Sequence, residues 1–448
     1  MAGKPEDQQV IVVGLGYVGL TLSAYLANIG IGVHGVEVRD NILSSLKNHR
    51  AFFLEENLDA TLDKVISNNK FSFSKLIPFS ECNRTFIITV GTPLTATNQP
   101  NLDFIKKAAT EVAHSIKNGD LVILRSTVKL GVTNNVVRSI LNSANKKFHL
   151  AFCPERTLEG AALSEIGNLP QIIGADNNED LERATQFFEK VTTTVVKVSN
   201  IETAEMIKLV DNMQRDTHFA ISNEVARMCN VVNVKASEVI SAGKNNYPRT
   251  NLATPGPVGG PCLEKDTYLL NDSFNLSFSL SKTARSVNEI IVDDSLSYFE
   301  NYFGERISKS KKEFKIAIIG LAFKGIPETN DLRGSMALRV IKALKNKFQN
   351  IQIFGFDPIV IEDETRELGI KFVNTYDEAT DKSDLVLFMN NHPIISRINL
   401  LSQAAKMNSG GMIYDYWGRF DSISDLPNRV VSSSWGSHSV SLTQVTHE

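Results

Sequence analysis

The chain is long enough for several domains, and its charge excludes two classes of partner. Its 448 residues are 42% hydrophobic, and a typical domain has ~150 residues, so we expect several buried cores. With 47 Lys and Arg against 50 Asp and Glu, the net charge is −3. No global field therefore exists to hold nucleic acid or an anionic membrane, and an acidic ligand must meet a local site.

The four cysteines indicate a reducing compartment. Cys82, Cys153, Cys229 and Cys262 are widely separated, with no CxxC pair and no histidine tract beside them. This usage predicts neither a disulfide framework nor a metal site, and it favours the cytoplasm. Residues 8–36 carry no formal charge, but glycines and polar residues interrupt the stretch. Such a pattern is typical of a buried strand, turn and helix rather than of a membrane span.

Short β-branched runs alternate with longer amphipathic segments from the N-terminus onward. The predicted strands are residues 10–13, 32–38, 85–90, 121–124 and 148–152. Strands separated by helices are typical of βαβ units and of a parallel sheet that is covered on both faces.

A glycine-rich turn follows the first predicted strand directly. Gly14, Gly16 and Gly19 open a helix, and Glu37 ends the next predicted strand. In this register the glycines allow a tight turn, close approach of a pyrophosphate and close packing of helix on strand, whereas glycines that only make a turn are the alternative. Glu37 would accept ribose hydroxyls and repel a 2′-phosphate, which predicts NAD rather than NADP, although Arg39 weakens that preference.

Polar residues follow three further predicted strands. Thr92 and Thr127 each lie just past a strand end, where ligands bind in open α/β sheets, although plain capping residues are nearly as good an interpretation. After the strand at 148–152 come Glu155, Arg156 and Glu159. Two carboxylates with an arginine between them suit acid and base chemistry, and an ordinary charged turn is the alternative.

A long helical segment begins near residue 203 and has a narrow polar stripe. Glu205, Lys208, Asn212 and Arg215 recur at spacings of 3, 4 and 3 residues, which confines them to about 80° of the helix circumference. Because the remaining positions are mostly apolar, the pattern favours a buried helix whose charged groups have partners or a function. A solvated face with ion pairs along the helix is an equal alternative.

One cysteine lies in a glycine loop. Cys262 follows Gly259 and Gly260 and precedes Lys265 and Asp266 by three and four residues. A nearby ammonium lowers the pKa of a thiol, and the glycines let backbone amides approach a substrate oxygen. Taken alone, this setting leaves a small buried filler as the slightly favoured interpretation, since free cysteines are usually that.

The strand pattern returns late in the chain, and the middle is helical. The late predicted strands are residues 315–319, 351–356, 384–389 and 412–414. We therefore predict an α/β fold with two Rossmann-like parallel-sheet domains joined by a central helical domain. The predicted segments are an NAD-binding domain at 1–200, the helical domain at 201–305, a second sheet domain at 313–435 and a flexible tail at 436–448.

Together these motifs resemble the nucleotide-sugar 6-dehydrogenase family, which contains UDP-glucose, GDP-mannose and UDP-N-acetylhexosamine dehydrogenases. The resemblance covers nearly the whole chain. The matching segments are 14–19, 90–93, 126–127, 153–156, 204–212, 223–224, 259–262 and 320–324, with Asp331 and Arg333. It implies the four-electron oxidation of a sugar C6 alcohol to a carboxylate with two NAD in sequence, in a homodimer or a higher homo-oligomer.

The resemblance also implies residue roles. Cys262 would be the nucleophile of a thiohemiacetal and a thioester, Lys208 and Asn212 would stabilise oxyanions, and Asp266 and Glu159 would handle protons or position water. The implied NAD-binding residues are Gly14, Gly16, Tyr17, Val18, Gly19, Glu37, Thr92, Thr127, Lys265 and Arg333. The implied substrate residues are Glu155, Arg156, Arg249, Gly259, Phe323 and Lys324, of which Arg249 matches an arginine that reaches across a dimer interface in relatives.

The motifs only partly define the substrate. Residues 212–216, 153–156 and 248–257 are similar to the UDP-N-acetylhexosamine branch, whereas Pro261 before Cys262 departs from it toward the UDP-glucose branch. We therefore expect UDP-N-acetylmannosamine or UDP-N-acetylglucosamine, in a pathway to surface polysaccharide, with UDP-glucose second and GDP-mannose third. Two alternatives of other classes are a two-electron β-hydroxyacid dehydrogenase and a non-catalytic protein that binds nucleotide sugars.

Overall fold

The computed structural model describes residues 9–274, 278–308, 313–420 and 425–438. The chain forms two compact units. Unit 1 contains Met1–Asn212 and Lys265–Ser277, and unit 2 contains Met213–Glu264 and Phe278–Glu448. Most of the predicted flexible tail, from residue 439 onward, lies outside the described residues.

Unit 1 is built on an eight-stranded sheet. Its strands are β1 (Val10–Val13), β2 (Val33–Val36), β3 (Phe71–Ser74), β4 (Thr85–Ile88), β5 (Leu121–Leu124), β6 (His149–Phe152), β7 (Gln171–Gly174) and β8 (Val195–Val198). Their order is β3-β2-β1-β4-β5-β6-β7-β8. Neighbouring strands are parallel except β6 and β7, which meet antiparallel at one residue pair.

Helices cover both faces of this sheet. They are α1 (Tyr17–Asn28), α2 (Asp40–Lys47), α3 (Leu58–Ser67), α4 (Asp103–Ser115), α5 (Ser139–Asn142), which a π-helical turn at Thr133–Arg138 precedes, α6 (Ala162–Glu165) and α7 (Asn178–Phe188). Strand β1 shows why the sheet is closed on both sides: Val10 and Val12 belong to one hydrophobic core, while Ile11 and Val13 belong to another. A strand buried on both faces is a continuous apolar run, as in other parallel sheets.

The middle of the described sequence is helical, and three helices lie between β8 and residue 275. They are α8 (Ile201–Val232), α9 (Ala236–Lys244) and α10 (Leu263–Asp272). The chain passes from unit 1 to unit 2 within α8 and returns at the start of α10. Of the predicted polar stripe on α8, Glu205 and Asn212 are buried and Lys208 is half-buried, but Arg215 is exposed. The stripe is therefore buried at Glu205 and Asn212 and solvated at Arg215, so each of the two interpretations describes part of it.

Unit 2 contains a six-stranded parallel sheet. Its strands are β9 (Phe314–Ile319), β10 (Ile351–Phe356), β11 (Lys371–Phe372), β12 (Leu385–Phe388), β13 (Met412–Asp415) and β14 (Val431–Ser434). The accompanying helices are α11 (Leu280–Glu289), α12 (Ile291–Phe303), α13 (Glu305–Ser308), α14 (Met336–Lys347), α15 (Glu362–Thr365), α16 (Tyr376–Thr380) and α17 (Leu400–Lys406), with 3₁₀ turns at Arg366–Leu368, Ile395–Arg397 and Pro427–Arg429. The strand order is β11-β10-β9-β12-β13-β14.

Both sheets have the same switch point. The chain order reverses between β1 and β4 in unit 1 and between β9 and β12 in unit 2, and ligands of open α/β sheets bind beyond the carboxyl ends of the strands at such a point. The predicted fold class, α/β with two Rossmann-like parallel-sheet domains joined in the sequence by a central helical domain, is confirmed. Within the described part of the chain, no helix combines the length and the apolar character needed to cross a membrane.

Candidate active site

The first glycine turn, at residues 14–19, is closely packed at Gly14 and Gly19 and open at Gly16. The N–H of Gly14 donates to the carbonyl of Val36 at 2.8 Å, with a φ of 97° at Gly14. A Cβ at Gly19 would lie 1.9 Å from the carbonyl oxygen of Gly14, so α1 packs directly on the turn. A Cβ at Gly16 would meet only the Arg39 guanidinium, at 3.9 Å. The open side at the N-terminus of α1 therefore suits a pyrophosphate.

Glu37 lies at the rim of this turn and is almost fully buried. Its carboxylate accepts the N–H of Leu15 at 3.1 Å, the N–H of Val38 at 2.9 Å, and the Arg39 guanidinium at 2.9 and 3.0 Å. Burial raises the pKa of Glu37, but these hydrogen bonds, chiefly from Arg39, outweigh burial and hold the pKa below its ordinary value. The carboxylate is thus ionised, as an acceptor for ribose hydroxyls must be.

Five residues from four separate sequence motifs are linked in unit 1 by three hydrogen bonds and one ion pair. The Thr92 hydroxyl donates to the carbonyl of Thr127 at 2.6 Å and accepts from the Lys265 ammonium at 2.8 Å. Lys265 Nζ lies 3.4 Å from Asp266 Oδ1, and the amide of Asn212 donates to Asp266 Oδ2 at 2.5 Å. Asp266 is 1% exposed. The ends of β4 and β5, α8 and α10 therefore hold a buried carboxylate between an ammonium and an amide.

Glu205 fixes α8 to the neighbouring loop. Its buried carboxylate accepts the N–H of Gly131 at 2.6 Å, and it accepts both the N–H and the hydroxyl of Thr133, at 3.0 and 2.5 Å. Burial raises the pKa of Glu205 despite these bonds. Glu205 lies one helical turn before the half-buried Lys208. It therefore sets the position of the helix that carries Lys208 and Asn212.

Both oxygens of the Glu155 carboxylate accept hydrogen bonds from within the protein. Both Nε and Nη2 of Arg125 donate to one of its oxygens, at 3.0 and 2.7 Å, and the N–H groups of Arg156 and Thr157 donate to the other, at 2.8 and 2.9 Å. Arg156 itself pairs with Asp211 at 3.0 Å on the surface. Sequence reasoning missed Arg125, although a charged residue directly after the apolar β5 was a usable signal.

The turn that bears Glu159 is held from a distant segment. The N–H of Gly160, whose φ is 88°, donates to Glu55 at 2.7 Å. Glu55 is buried and was not predicted, because nothing in the local sequence connects residues 105 positions apart. Glu159 is half-buried, so part of the residue is exposed to solvent.

The loop that carries Cys262 packs closely against Gly334 in unit 2. The N–H of Gly260 donates to the carbonyl of Gly334 at 2.8 Å, and its φ is 94°. A Cβ at Gly259 would lie 2.2 Å from the same carbonyl oxygen, and a Cβ at Gly260 would lie 2.8 Å from the Phe323 ring. Cys262 is exposed and immediately precedes α10. The thiol therefore stands accessible at a helix N-terminus, where a thiolate is favoured.

The turn after β9 repeats the construction of the first glycine turn. Gly320 has a φ of 94°, and Asp357, at the end of β10, accepts the N–H groups of Leu321 and Ala322 at 2.7 and 3.0 Å. Asp357 thus occupies the place that Glu37 has in unit 1, and like Glu37 it accepts an N–H of the turn. Sequence reasoning did not identify Asp357.

The remaining predicted ligand residues of unit 2 are near this turn or on a loop. The N–H of Phe323 donates to the carbonyl of Asp331 at 3.0 Å, and the Lys324 ammonium lies 5.3 Å from the Phe323 ring centre. The Arg333 guanidinium chelates the Asp331 carboxylate at 2.7 and 2.9 Å and is 55% exposed. Arg249 is exposed on the loop after α9. Cys262 and Gly259 belong to unit 2 as well, whereas the other predicted site residues belong to unit 1.

Comparison with known proteins decides the family. The UDP-glucose/GDP-mannose dehydrogenase family matches along the chain: its NAD binding domain at residues 8–192, its central domain at 202–290 and its UDP binding domain at 317–422. The chain is 30% identical over 403 residues to UDP-N-acetyl-D-mannosamine dehydrogenase of Pyrococcus horikoshii, which covers 87% of this chain and 91% of that protein. The chain belongs to the UDP-glucose/GDP-mannose dehydrogenase family.

One further relative and one solved structure agree with this assignment. An NDP-N-acetyl-D-galactosaminuronic acid dehydrogenase of Ralstonia nicotianae is 30% identical over 402 residues, covering 86% of this chain and 91% of that protein. A solved structure of UDP-D-ManNAc dehydrogenase from Pyrococcus horikoshii has a TM-score of 0.85 at 29% identity and covers 96% of this chain and 100% of that one. This family member is an NAD-dependent oxidoreductase that converts a nucleotide sugar to a uronic acid, and it has a UDP binding domain.

The glycine turn allows a paired test of NAD binding. Gly16→Ala is expected to fold normally but to weaken NADH binding by about tenfold or more, because the new methyl group enters the space for the pyrophosphate. Gly19→Ala is expected to lower the melting temperature instead, since its Cβ would overlap the Gly14 carbonyl at 1.9 Å. NADH fluorescence titration and thermal melting measure the two effects. Unchanged NADH affinity in Gly16→Ala would contradict the assignment of the turn.

Proposed function

We propose that the chain is a UDP-N-acetylhexosamine 6-dehydrogenase, with UDP-N-acetylmannosamine as its first candidate substrate. The observation that carries the proposal is the chain from Thr127 through Thr92, Lys265 and Asp266 to Asn212 in unit 1. This chain of contacts links residues to which the resemblance assigns cofactor binding with residues to which it assigns catalysis. The relatives in Pyrococcus horikoshii and Ralstonia nicotianae are named for N-acetylhexosamine derivatives, which supports this substrate class over UDP-glucose.

The proposed chemistry oxidises C6 in two stages. When bound, NAD accepts a hydride, and two transfers to two NAD supply the four-electron oxidation. In the first stage the C6 alcohol loses a hydride and a proton and becomes an aldehyde. The Cys262 thiolate then adds to the aldehyde, and the thiohemiacetal loses the second hydride and a proton to give a thioester. Water hydrolyses the thioester, so that one alcohol and one water yield a carboxylate, two hydrides and three protons.

The proposed roles come from the family resemblance, and the contacts of Asp266 agree with its role. Asp266 takes protons, since Asn212 and Lys265 hold its buried carboxylate in place. Lys208 stabilises the oxyanions of the tetrahedral stages, and Glu159, half-buried in its turn, positions the hydrolytic water.

Glu155 is assigned a shaping role. Its carboxylate already accepts from Arg125 and from the backbone, so we place it behind the loop that presents Arg156 and Glu159 rather than against the sugar. An NAD enzyme with an exposed reactive thiol suits the cytoplasm, where thiols stay reduced.

A substrate panel tests the proposal. UDP-N-acetylmannosamine, UDP-N-acetylglucosamine, UDP-N-acetylgalactosamine, UDP-glucose and GDP-mannose are each incubated with NAD, and NADH absorbance is followed to completion. The C2 epimers are included because they isolate recognition of the N-acetyl group. About two NADH per sugar are expected for one UDP-N-acetylhexosamine. One NADH per sugar would indicate a two-electron dehydrogenase, and no NADH from any sugar would contradict the proposed activity.

We propose that the protein is a homodimer or a higher homo-oligomer through α8 and α9. Met228, Val231 and Val232 on α8 are 59%, 74% and 65% exposed, and Ile221 and Val239 are exposed as well. Several large apolar side chains on adjoining turns mark an interaction surface. A second copy is the proposed occupant because the loop after α9 carries Arg249, which the family resemblance assigns to a partner's site.

A charge on this surface tests the oligomer. Val231→Glu is expected to shift the protein toward the 49.5 kDa monomer mass in light scattering after size-exclusion chromatography, since it buries a carboxylate in an apolar contact. The matched control is Leu401→Glu, which alters an exposed leucine on α17. A wild-type monomer, or an unchanged mass for Val231→Glu, would contradict the assignment of this surface.

A further inference from the structure

An ion-pair network in unit 2 contacts the helix that follows the reactive thiol. Glu264 is the second residue of α10 and lies two positions after Cys262. Its Oε1 lies 2.8 Å from Nε of Arg339 on α14. The same guanidinium reaches Glu289 on α11 through Nη1, at 3.2 Å. A carboxylate two residues after the thiol is therefore paired with one arginine from a different helix.

The network also contacts the loop before the thiol. Arg285 Nε lies 3.5 Å from Glu289, its Nη1 donates to Asp216 at 3.0 Å, and its Nη2 donates to the carbonyl of Val258 at 2.7 Å. Arg285 is 2% exposed. The two contacts, at Val258 and at Glu264, enclose the short segment that holds Cys262. The segment that carries the thiol is thus held before Cys262 by Arg285 and after it by Arg339.

The balance of these charges matters for the thiol. Burial raises the pKa of Glu264, and Arg339 is the main group that opposes this rise. A carboxylate disfavours a nearby thiolate, whereas a guanidinium that neutralises the carboxylate removes the penalty. The other charged groups close in sequence are Lys265 and Asp266 on α10 itself. Arg339 is 39% exposed at its side chain, so its replacement leaves no large cavity.

We propose that Arg339 is a positioning residue for Cys262, which it serves by neutralising Glu264 and by holding the thiol segment to α14 and α11. The inference rests on the proposed role of Cys262 as the nucleophile. It separates two contributions of Glu264: its negative charge opposes the thiolate, and its ion pair fixes the loop. Replacing Arg339 leaves the negative charge of Glu264 without its partner. Replacing Glu264 removes that charge and, with it, the penalty on the thiolate.

Thiol alkylation measures this directly, without sugar or NAD. In a Cys82→Ser background, which removes the other exposed thiol, iodoacetamide modification of Cys262 is followed by mass spectrometry at fixed pH. Arg339→Met is expected to slow alkylation about fivefold. Glu264→Gln is expected not to slow it, and adding Arg339→Met to Glu264→Gln is expected to cause no further decrease. Arg339→Lys, which keeps the charge, should stay within about twofold of the background.

The controls separate charge from general loosening of the fold. Arg366→Met breaks an exposed pair with Asp363 on α15 and should leave alkylation unchanged. Equal slowing in Arg339→Met and Glu264→Gln, or no slowing in Arg339→Met, would overturn the inference. Because alkylation needs no turnover, these rates stay interpretable even if Cys262→Ser remained active, an outcome that would refute only the nucleophile role in the proposed function.

Discussion

Replacing Cys262 by serine is expected to end uronic acid formation while NAD binding stays intact. Cys262 is exposed at the N-terminus of α10 in unit 2, whereas the glycine turn and Glu37 belong to unit 1. A serine hydroxyl is hardly ionised at neutral pH and adds poorly to an aldehyde. We expect kcat for uronic acid to fall by about 10³-fold or more, with the NADH dissociation constant changed less than about twofold.

The measurement needs both NADH absorbance and product analysis. The matched control is Cys82→Ser, which removes an exposed thiol outside the proposed site and should keep full activity. Cys153 cannot replace the lost thiol, since burial raises the pKa of that thiol far above its ordinary value. Normal production of the acid by Cys262→Ser would refute the thioester route, and weakened NADH binding would show that the substitution acts through folding.

Sequence periodicity predicted nine of the fourteen described strands and missed the four edge strands, β3, β8, β11 and β14, together with β7. The runs at β1, β5 and β10 have the predicted bounds because each strand is a nearly continuous apolar run. Strand β3, Phe71–Ser74, alternates phenylalanine with serine, and β11 has only two residues. Such short edge segments bury little apolar surface, so their strand conformation depends on pairing with β2 and β10 rather than on their own residues.

Site residues could be predicted from the sequence wherever they belong to a motif with a known local structure. Gly14, Gly16 and Glu37 follow from the strand, turn and helix that surround them. Glu55 was not predictable, because it acts through a hydrogen bond to a residue 105 positions away. Arg125 is noticeable as a charged residue after β5, but its pairing with Glu155, 30 positions away, was not predictable. A single sequence contains the residue types of such contacts but not their distances.

The largest stability effect is expected at Arg125. Its side chain is 3% exposed and its guanidinium donates to Glu155, to the carbonyl of Cys153 and to Gln171. Arg125→Met leaves the Glu155 carboxylate buried without its cation, which costs about 3–5 kcal/mol in comparable pairs. The midpoint of urea denaturation measures the loss. Arg366→Met, at an exposed pair, is the control and should leave the midpoint unchanged.

A double variant distinguishes loss of charge pairing from loss of packing. Adding Glu155→Leu to Arg125→Met removes the unpaired carboxylate, so it is expected to recover a large part of the lost stability. A double variant as unstable as Arg125→Met would show that packing of the arginine stem, and not the ion pair, supports the loop at 155–160.

The pH dependence gives the same pair an independent signature. Burial raises the pKa of Glu155, but Arg125 and the backbone N–H groups outweigh burial and hold the pKa below its ordinary value of 4.5. The stability that this ionised pair contributes is therefore fully present above pH 4.5 and is lost as the pH falls through the lowered pKa of the folded state. In Arg125→Met burial acts unopposed by the guanidinium and raises the pKa, so Glu155 takes up a proton as the medium becomes acidic and the penalty disappears. The difference in urea midpoint between wild type and Arg125→Met should thus be largest near neutral pH and should shrink toward pH 4, whereas a constant difference would mean that Glu155 does not titrate in the variant.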